Sequence, residues 1–304
     1  MTGTFYGLRS LAASSLILVA CVSLACGADE SSSTTKPSGS GGSGGSYEVH
    51  DMKRPQPEVV TPGTASTNEQ PGKPPSDAVV LFDGKDLSKW KADRTEKDIK
   101  AGKPEGPAEW KVEDGQLIVN FGKGNIRTND EFRDVQLHLE FWHPTDIKGS
   151  SQGRGNSGVF FMGLYELQVL DNYNAETYAD GMVGSMYGQY PPLVNAARQP
   201  GQWQMYDVIF RAPRYEGDKV VKPARMTVLL NGVVVQDSTE LLGPTKHKLL
   251  TKYPKTHPET GPIKLQDHGH PVRFRNIWVR ELKETPQPAA RSAAGAKEPP
   301  ADAK

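Results

Sequence analysis

Two short segments carry the residue types from which a reaction could be built. They are Tyr165-Glu166-Leu167-Gln168-Val169-Leu170-Asp171 and Ile263-Lys264-Leu265-Gln266-Asp267-His268. Each alternates apolar and polar side chains, the period of a strand with one buried face. Leu167 and Val169 fall on one side, with Glu166 and Gln168 on the other. Ile263 and Leu265 likewise oppose Lys264, Gln266 and His268. The outward sets combine amides, a carboxylate, an ammonium and an imidazole. Amides suit a ligand rich in hydroxyls, and a carboxylate with an imidazole can move protons.

The remainder of the chain must hold those strands in place. It has 304 residues, with 36 Lys+Arg against 36 Asp+Glu, so it lacks the basic footprint of a nucleic-acid binder. Arg9 ends a short leading segment, and Leu11–Ala20 is an apolar run too short to span a bilayer. Both cysteines of the chain close it. Leu18-Val19-Ala20-Cys21 and Ser23-Leu24-Ala25-Cys26 each have the form of a bacterial lipobox, and Cys26 has the more hydrophilic sequence after it. Residues 1–26 are therefore expected to be a lipoprotein-type export signal with lipidation at Cys26. That places the protein on a membrane through its lipid, facing the periplasm or the cell surface. Residues 27–77, rich in Ser, Gly and Pro, are expected to form a disordered tether. Residues 285–304 are expected to be a disordered Pro/Ala/Lys-rich tail, which leaves 78–284 as one domain without cysteine, and so without disulfides.

Within that domain the pattern predicts strands at Val79–Phe82, Trp110–Val112, Gln116–Val119, Val135–Trp142, Gly158–Met162, Tyr206–Phe210, Arg225–Leu230, Val233–Val235 and Val272–Val279. Glu113-Asp114-Gly115 and Asn231-Gly232 are hairpin turn signals between them. Short helices are expected only near Pro192–Arg198. The composite is an all-β, antiparallel two-sheet sandwich. Trp90, Trp110, Trp203 and Trp278 are expected in its core. Trp142, Tyr173, Tyr178, Tyr187 and Tyr190 are candidates for a sugar-stacking platform. Asn276 interrupts the last strand's alternation and predicts a β-bulge.

Leu81-Phe82-Asp83-Gly84-Lys85-Asp86-Leu87-Ser88-Lys89-Trp90 resembles the opening motif of the 3-keto-disaccharide hydrolase domain family. Asn156-Ser157-Gly158-Val159-Phe160-Phe161 and Tyr165–Asp171 resemble its central motifs. Gly261–Gly269 with Val272–Ile277 resembles its closing motif. The resemblance spans about Ala78–Leu282 and departs at Met162-Gly163, where the family pattern often carries an arginine. It implies a concanavalin- or laminin-G-like jelly roll. It also implies cleavage of 3-keto-glycosides by removal of the C2 proton, β-elimination of the C1 oxygen and hydration, a net hydrolysis.

That chemistry needs a base, a group to stabilise the enolate oxygen and an acid for the leaving group. Glu166 or His268 is expected as the base, and Lys264 or Arg275 as the enolate stabiliser. Gln168, Gln266, Asn156 and Tyr187 are expected to bind sugar, together with Arg275. Asp171 is expected to cap a turn. No cofactor is expected. A divalent metal on Glu166, Asp267, His268 and His270 is an alternative without a tight motif behind it. The competing functions are a non-catalytic carbohydrate-binding lipoprotein and a structural surface protein.

Overall fold

The computed structural model describes residues 50, 52–53, 55–102 and 104–283. The expected export signal, Cys26 and the tail 285–304 lie outside the described residues, as does the tether as far as residue 49. In chain order the first strands are β1 (Val79–Phe82), β2 (Trp90–Ala92), β3 (Lys111–Glu113), β4 (Gln116–Ile118) and β5 (Ile126–Thr128). The next are β6 (Val135–Trp142), β7 (Ser157–Phe161), β8 (Tyr165–Val169) and β9 (Gln204–Arg211). Then come β10 (Arg214–Glu216), β11 (Lys219–Lys222), β12 (Arg225–Leu230), β13 (Val233–Glu240), β14 (Lys264–Leu265) and β15 (Arg273–Glu281).

Two antiparallel sheets form the expected β-sandwich. The larger runs β13-β12-β9-β6-β15-β4-β3, with β1 also paired to β15, and the smaller runs β2-β5-β14-β7-β8. Alternation decides what lies between them. Leu137, Leu139 and Phe141 of β6, Tyr206, Val208 and Phe210 of β9, and Phe274 of β15 are fully buried. From the other side come Val159 and Phe161 of β7, Tyr165, Leu167 and Val169 of β8, and Leu265 of β14. The Phe161 and Phe210 rings stack across the two layers with centroids 4.9 Å apart. The Tyr206 hydroxyl crosses the same interface to donate to the Gln168 carbonyl at 2.6 Å, which ties the smaller sheet's edge strand to the centre of the larger sheet.

The described structure departs from expectation in several places. Pro192–Arg198 is not helical, whereas Glu96–Lys100 is a short helix begun by a capping box between Thr95 and Asp98. β13 extends well beyond Val235, to Glu240. The expected tether also ends early, because residues 61–76 fold back on the domain. Thr64 N–H donates to the Lys73 carbonyl, Thr67 N–H to that of Gln70 and Ser76 N–H to that of Thr61.

This strap is held by polar contacts, so its composition does not announce it. It lies on the outer face of the larger sheet. There Arg275 donates to Glu140 at 2.7 Å and to the Thr67 and Asn68 carbonyls, with its guanidinium 4.1 Å over the Trp203 ring. Ser66 donates its hydroxyl to Glu140 at 2.6 Å, and Trp203 N–H donates to the Asn68 side chain. Asn276 sits at a register shift in β15 with φ 49, the bulge its position predicted, and its amide also donates to Glu140 at 2.8 Å. Trp278 stacks on His138, which bonds Asp207 at 2.7 Å.

Burial works against both ionised groups of this network, but their partners outweigh it. Hydrogen bonds with Asp207 and Glu140 lift His138 to about 9. Those from His138, Ser66, Asn276 and Arg275 lower Glu140 to about 2. Arg275→Ala strands a buried carboxylate and is expected to cost about 3–5 kcal/mol in a denaturant titration. A depressed acid stabilises above its ordinary pKa, here 4.5 for Glu140, and the effect is lost as pH falls toward 2. A raised base stabilises below its ordinary 6.5 and is lost as pH climbs through about 9. His138 is held by Asp207 and Glu140 in both proteins, so the difference between wild type and Arg275→Ala is expected to rise from about pH 2 and level off above about 4.5. A difference flat from pH 2 to 9 would contradict this account.

Candidate active site

The site is built on the smaller sheet's outer face. β7 and β8 form a hairpin joined by the three residues Met162-Gly163-Leu164, with Met162 and Gly163 at φ of 54 and 68 and Leu164 N–H donating to the Phe161 carbonyl. Both residues are in the left-handed region, and the departure from the family pattern at Met162 falls in this turn. The hairpin fixes the register. Phe160 stands opposite Glu166, and Lys264 of β14 opposite Phe160, so the three share one row across the sheet. Gly158 stands opposite Gln168 in the next row, and Gln266 N–H donates to the Gly158 carbonyl.

Both faces of β8 are buried, not one as its alternation suggested. The cause is the excursion 172–189, which returns along its edge. Gln168 N–H donates to the Ser185 carbonyl, Gly184 N–H to that of Gln168, and Tyr187 N–H to that of Glu166. This pairing covers an otherwise open strand edge and brings Tyr178 and Tyr187 over the outer face.

The result is a hollow of about 240 Å³ lined by Gln152, Asn156, Phe160, Glu166, Gln168, Tyr178, Tyr187, Thr245, Lys246, His247, Gln266 and His268. Six of the eight residues expected to catalyse or bind meet there: Glu166, Gln168, Gln266, His268, Asn156 and Tyr187. Lys264 does not line the hollow. Its ammonium lies 4.3 Å over the Phe160 ring and 3.6 Å from Asp93, close enough to act on Glu166 through its charge alone. Arg275 is nowhere near. It lies on the opposite outer face of the sandwich, in the strap network, because its strand belongs to the larger sheet. Trp142 is on that face too, under the Arg273 guanidinium, so of the expected sugar platform Tyr178 and Tyr187 reach the hollow.

Glu166 is the chemical centre. It is 5% exposed, and among the described residues its carboxyl oxygens have no hydrogen-bond partner. Burial pushes it up to about 8, against a partial downward pull from Lys264. Glycine at 158 leaves the carboxyl its room: a Cβ there would come within 2.5 Å of Glu166 Oε1 and 3.0 Å of the Phe160 ring. His268 is exposed at the rim, yet partial burial, helped by the charge of His270 stacked against it, holds its imidazole below the usual value.

Amides form the remaining wall. Gln152 Oε1 accepts from Gln168 Nε2 at 2.8 Å and from Asn156 Nδ2 at 3.1 Å. Gln168 Oε1 is buried with no partner among the described residues, an acceptor awaiting a donor. Opposite, the Tyr178 and Tyr187 hydroxyls are 2.8 Å apart, and Tyr187 reaches His247 Nδ1 at 3.2 Å. Gln152, Thr245, Lys246 and His247 were not recognisable in the sequence, because Gln152 lies in a single 3-10 turn and the others in a loop, neither with a periodic pattern.

The four alternative metal ligands do not converge. Asp267 accepts the backbone N–H groups of Gly122, Gly124 and Gly269, and His270 Nε2 bonds the Gly153 carbonyl. Among the described residues no group of three or more His, Cys, Asp and Glu is placed to hold a metal ion. Asp171 takes its expected structural part, accepting from Tyr173 N–H and from Arg154 Nε at 2.6 Å.

The chain is similar to proteins already known. The family model of the 3-keto-alpha-glucoside-1,2-lyase-like domain matches residues 77–280. A 3-keto-disaccharide hydrolase of Bacteroides thetaiotaomicron is 28% identical over 250 residues, 67% of this chain and 78% of the relative. A crystal structure from Parabacteroides distasonis, provisionally named a glycosyl hydrolase, is 46% identical with a TM-score of 0.69. It covers 77% of this chain and 95% of its own.

The fit between Gly158 and Glu166 can be tested by a double-mutant cycle. Gly158→Ala is expected to destabilise the protein by about 1–3 kcal/mol through overpacking. In a Glu166→Ala background that cost should shrink by at least half, since the clashing oxygen is gone. Equal costs in both backgrounds would show that the two residues do not press on one another.

Proposed function

This chain belongs to the 3-keto-alpha-glucoside-1,2-lyase-like domain family, and on that premise we propose that it cleaves glycosides whose sugar carries a ketone at carbon 3. The observation that carries the reading is the opposed tuning of two groups facing one sugar-sized hollow. Glu166 is raised to about 8 and His268 lowered below its ordinary 6.5. At neutral pH the first is a protonated acid and the second a neutral base, the division of labour that elimination requires.

In this mechanism His268 takes the C2 proton, and the C2–H electron pair moves toward the C3 carbonyl, forming an enolate. Lys246 at the edge of the hollow supplies positive charge to the enolate oxygen, the part that Lys264 and Arg275 were expected to play. The enolate collapses, the C1–O bond breaks, and the Glu166 proton goes to the departing oxygen. Water then adds to the new C1=C2 bond, hydroxyl to C1 and proton to C2, which completes a net hydrolysis. The amides of Asn156, Gln168 and Gln266 hold sugar hydroxyls, and the unpartnered Gln168 Oε1 accepts one of them. The Tyr178 and Tyr187 rings cover the sugar. Lipidation at Cys26 would set this activity at a membrane surface outside the cytoplasm.

The pH dependence separates the roles. With Glu166 as acid and His268 as base, kcat/KM on a 3-keto-disaccharide should form a bell, falling above pH 8 and below a point under 6.5. Glu166→Gln should abolish the alkaline limb and lower kcat roughly 10²–10⁴-fold. His268→Ala should remove the acidic limb with a loss of similar order. A rate that instead rises through pH 8 would make Glu166 the base. Full activity in both variants, or no cleavage by the wild type, would sink the assignment.

A further inference from the structure

A second cavity, of about 470 Å³, adjoins the first and shares its Tyr178 and Tyr187 wall. We propose that it is the leaving-group subsite, and that it selects glycosides whose aglycone is a flat apolar ring over those whose aglycone is a second sugar. This rests on the reading above, in which the first cavity holds the oxidised sugar.

The chain itself partitions the two spaces. A tight turn joins Lys246 to Leu249, whose N–H donates to the Lys246 carbonyl, with Lys248 at φ 56. His247 on one side of the turn lines the first cavity, while Lys248, Leu249 and Leu250 beyond it line the second. A ligand group attached at C1 and leaving the first cavity past the tyrosines therefore meets the two leucines.

The linings differ in kind. The first cavity presents four side-chain amides, from Gln152, Asn156, Gln168 and Gln266. The second presents no side-chain amide. Its wall is the two tyrosine rings with Leu249 and Leu250, and Asp180 and Lys248 are its charged groups. The tyrosine hydroxyls are already engaged with each other and with His247. A second pyranose would lose water from several hydroxyls here and find few partners in exchange, which is unfavourable. An aromatic ring loses little, and it covers leucines that otherwise stand 57% and 60% exposed. The size suits such a group, because the two cavities together fall in the range that encloses a sugar with an attached ring.

The test uses the whole protein and two substrates with the same oxidised glucose, the 3-keto forms of phenyl glucoside and of a glucose disaccharide. Leu249→Ser with Leu250→Ser alters exposed side chains and should leave the fold intact. It is expected to lower kcat/KM for the phenyl substrate roughly 10-fold, mainly through KM, the order expected for lost apolar contact. The disaccharide should change by less than about 2-fold. Binding of unoxidised phenyl glucoside, followed by calorimetry, gives a readout independent of turnover and should weaken in the same variant. Equal loss on both substrates, or no loss on either, overturns the subsite. So does a wild type that turns over the 3-keto-disaccharide but neither cleaves nor binds the phenyl compounds. Leucine-dependent binding of phenyl glucoside without turnover of any 3-keto-glycoside would instead overturn the reaction and leave the subsite standing.

Discussion

The functional account rests on one constraint: a nearly buried carboxyl group with no hydrogen-bond partner among the described residues to receive its charge. An ionised carboxylate in such a place is costly unless paired, and Glu166 lies beside neither an arginine nor a cluster of backbone N–H groups. Among the described residues the cation near enough to be felt, Lys264, is held off by the Phe160 ring and drawn to Asp93. The proton therefore stays on near neutrality. A carboxylic acid can donate to a departing oxygen, whereas a carboxylate there would repel the charge that develops.

The architecture serves that placement. The three-residue connection Met162-Gly163-Leu164 sets the β7–β8 register, and the register puts Glu166 in line with Phe160 and Lys264 rather than one residue off, which would turn it into the core. Glycine at 158 leaves room for the carboxyl, and the returning segment 182–187 both caps the strand edge and supplies a tyrosine wall. The contrast with the other sheet is instructive. Glu140 is buried as well, but four donors surround it and it stays ionised far below neutrality. The same residue type is a structural anion on one face and a protonated acid on the other, and its hydrogen-bond partners decide which.

Much of this was legible in the sequence, and the remainder was not for identifiable reasons. Period-two alternation located β6, β8, β12 and β15 and assigned Glu166 and Gln168 to the face away from Leu167. Those patterns depend on burial, which the sequence encodes directly. Arg275 was misplaced because alternation says which face of a strand a residue occupies but not which sheet the strand joins. The strap was read as linker because it contains little apolar surface. Its anchoring comes from backbone carbonyls and single hydroxyls, which leave no compositional trace. Lys246, His247 and Thr245 escaped notice for the same reason: they sit on a loop whose position is set by the turn at Lys248 and by hydrogen bonds from Glu166 N–H to Thr245 and from Thr245 N–H to the Leu164 carbonyl.

The most direct measurement is the ionisation of Glu166 itself, read as the carboxyl carbon signal that disappears from an NMR titration of the wild type when Glu166→Gln is substituted. The account predicts that this signal titrates near pH 8. A midpoint close to the ordinary glutamate value of 4.5 would mean a carboxylate at neutral pH, and with it the acid assigned to the leaving group would be gone.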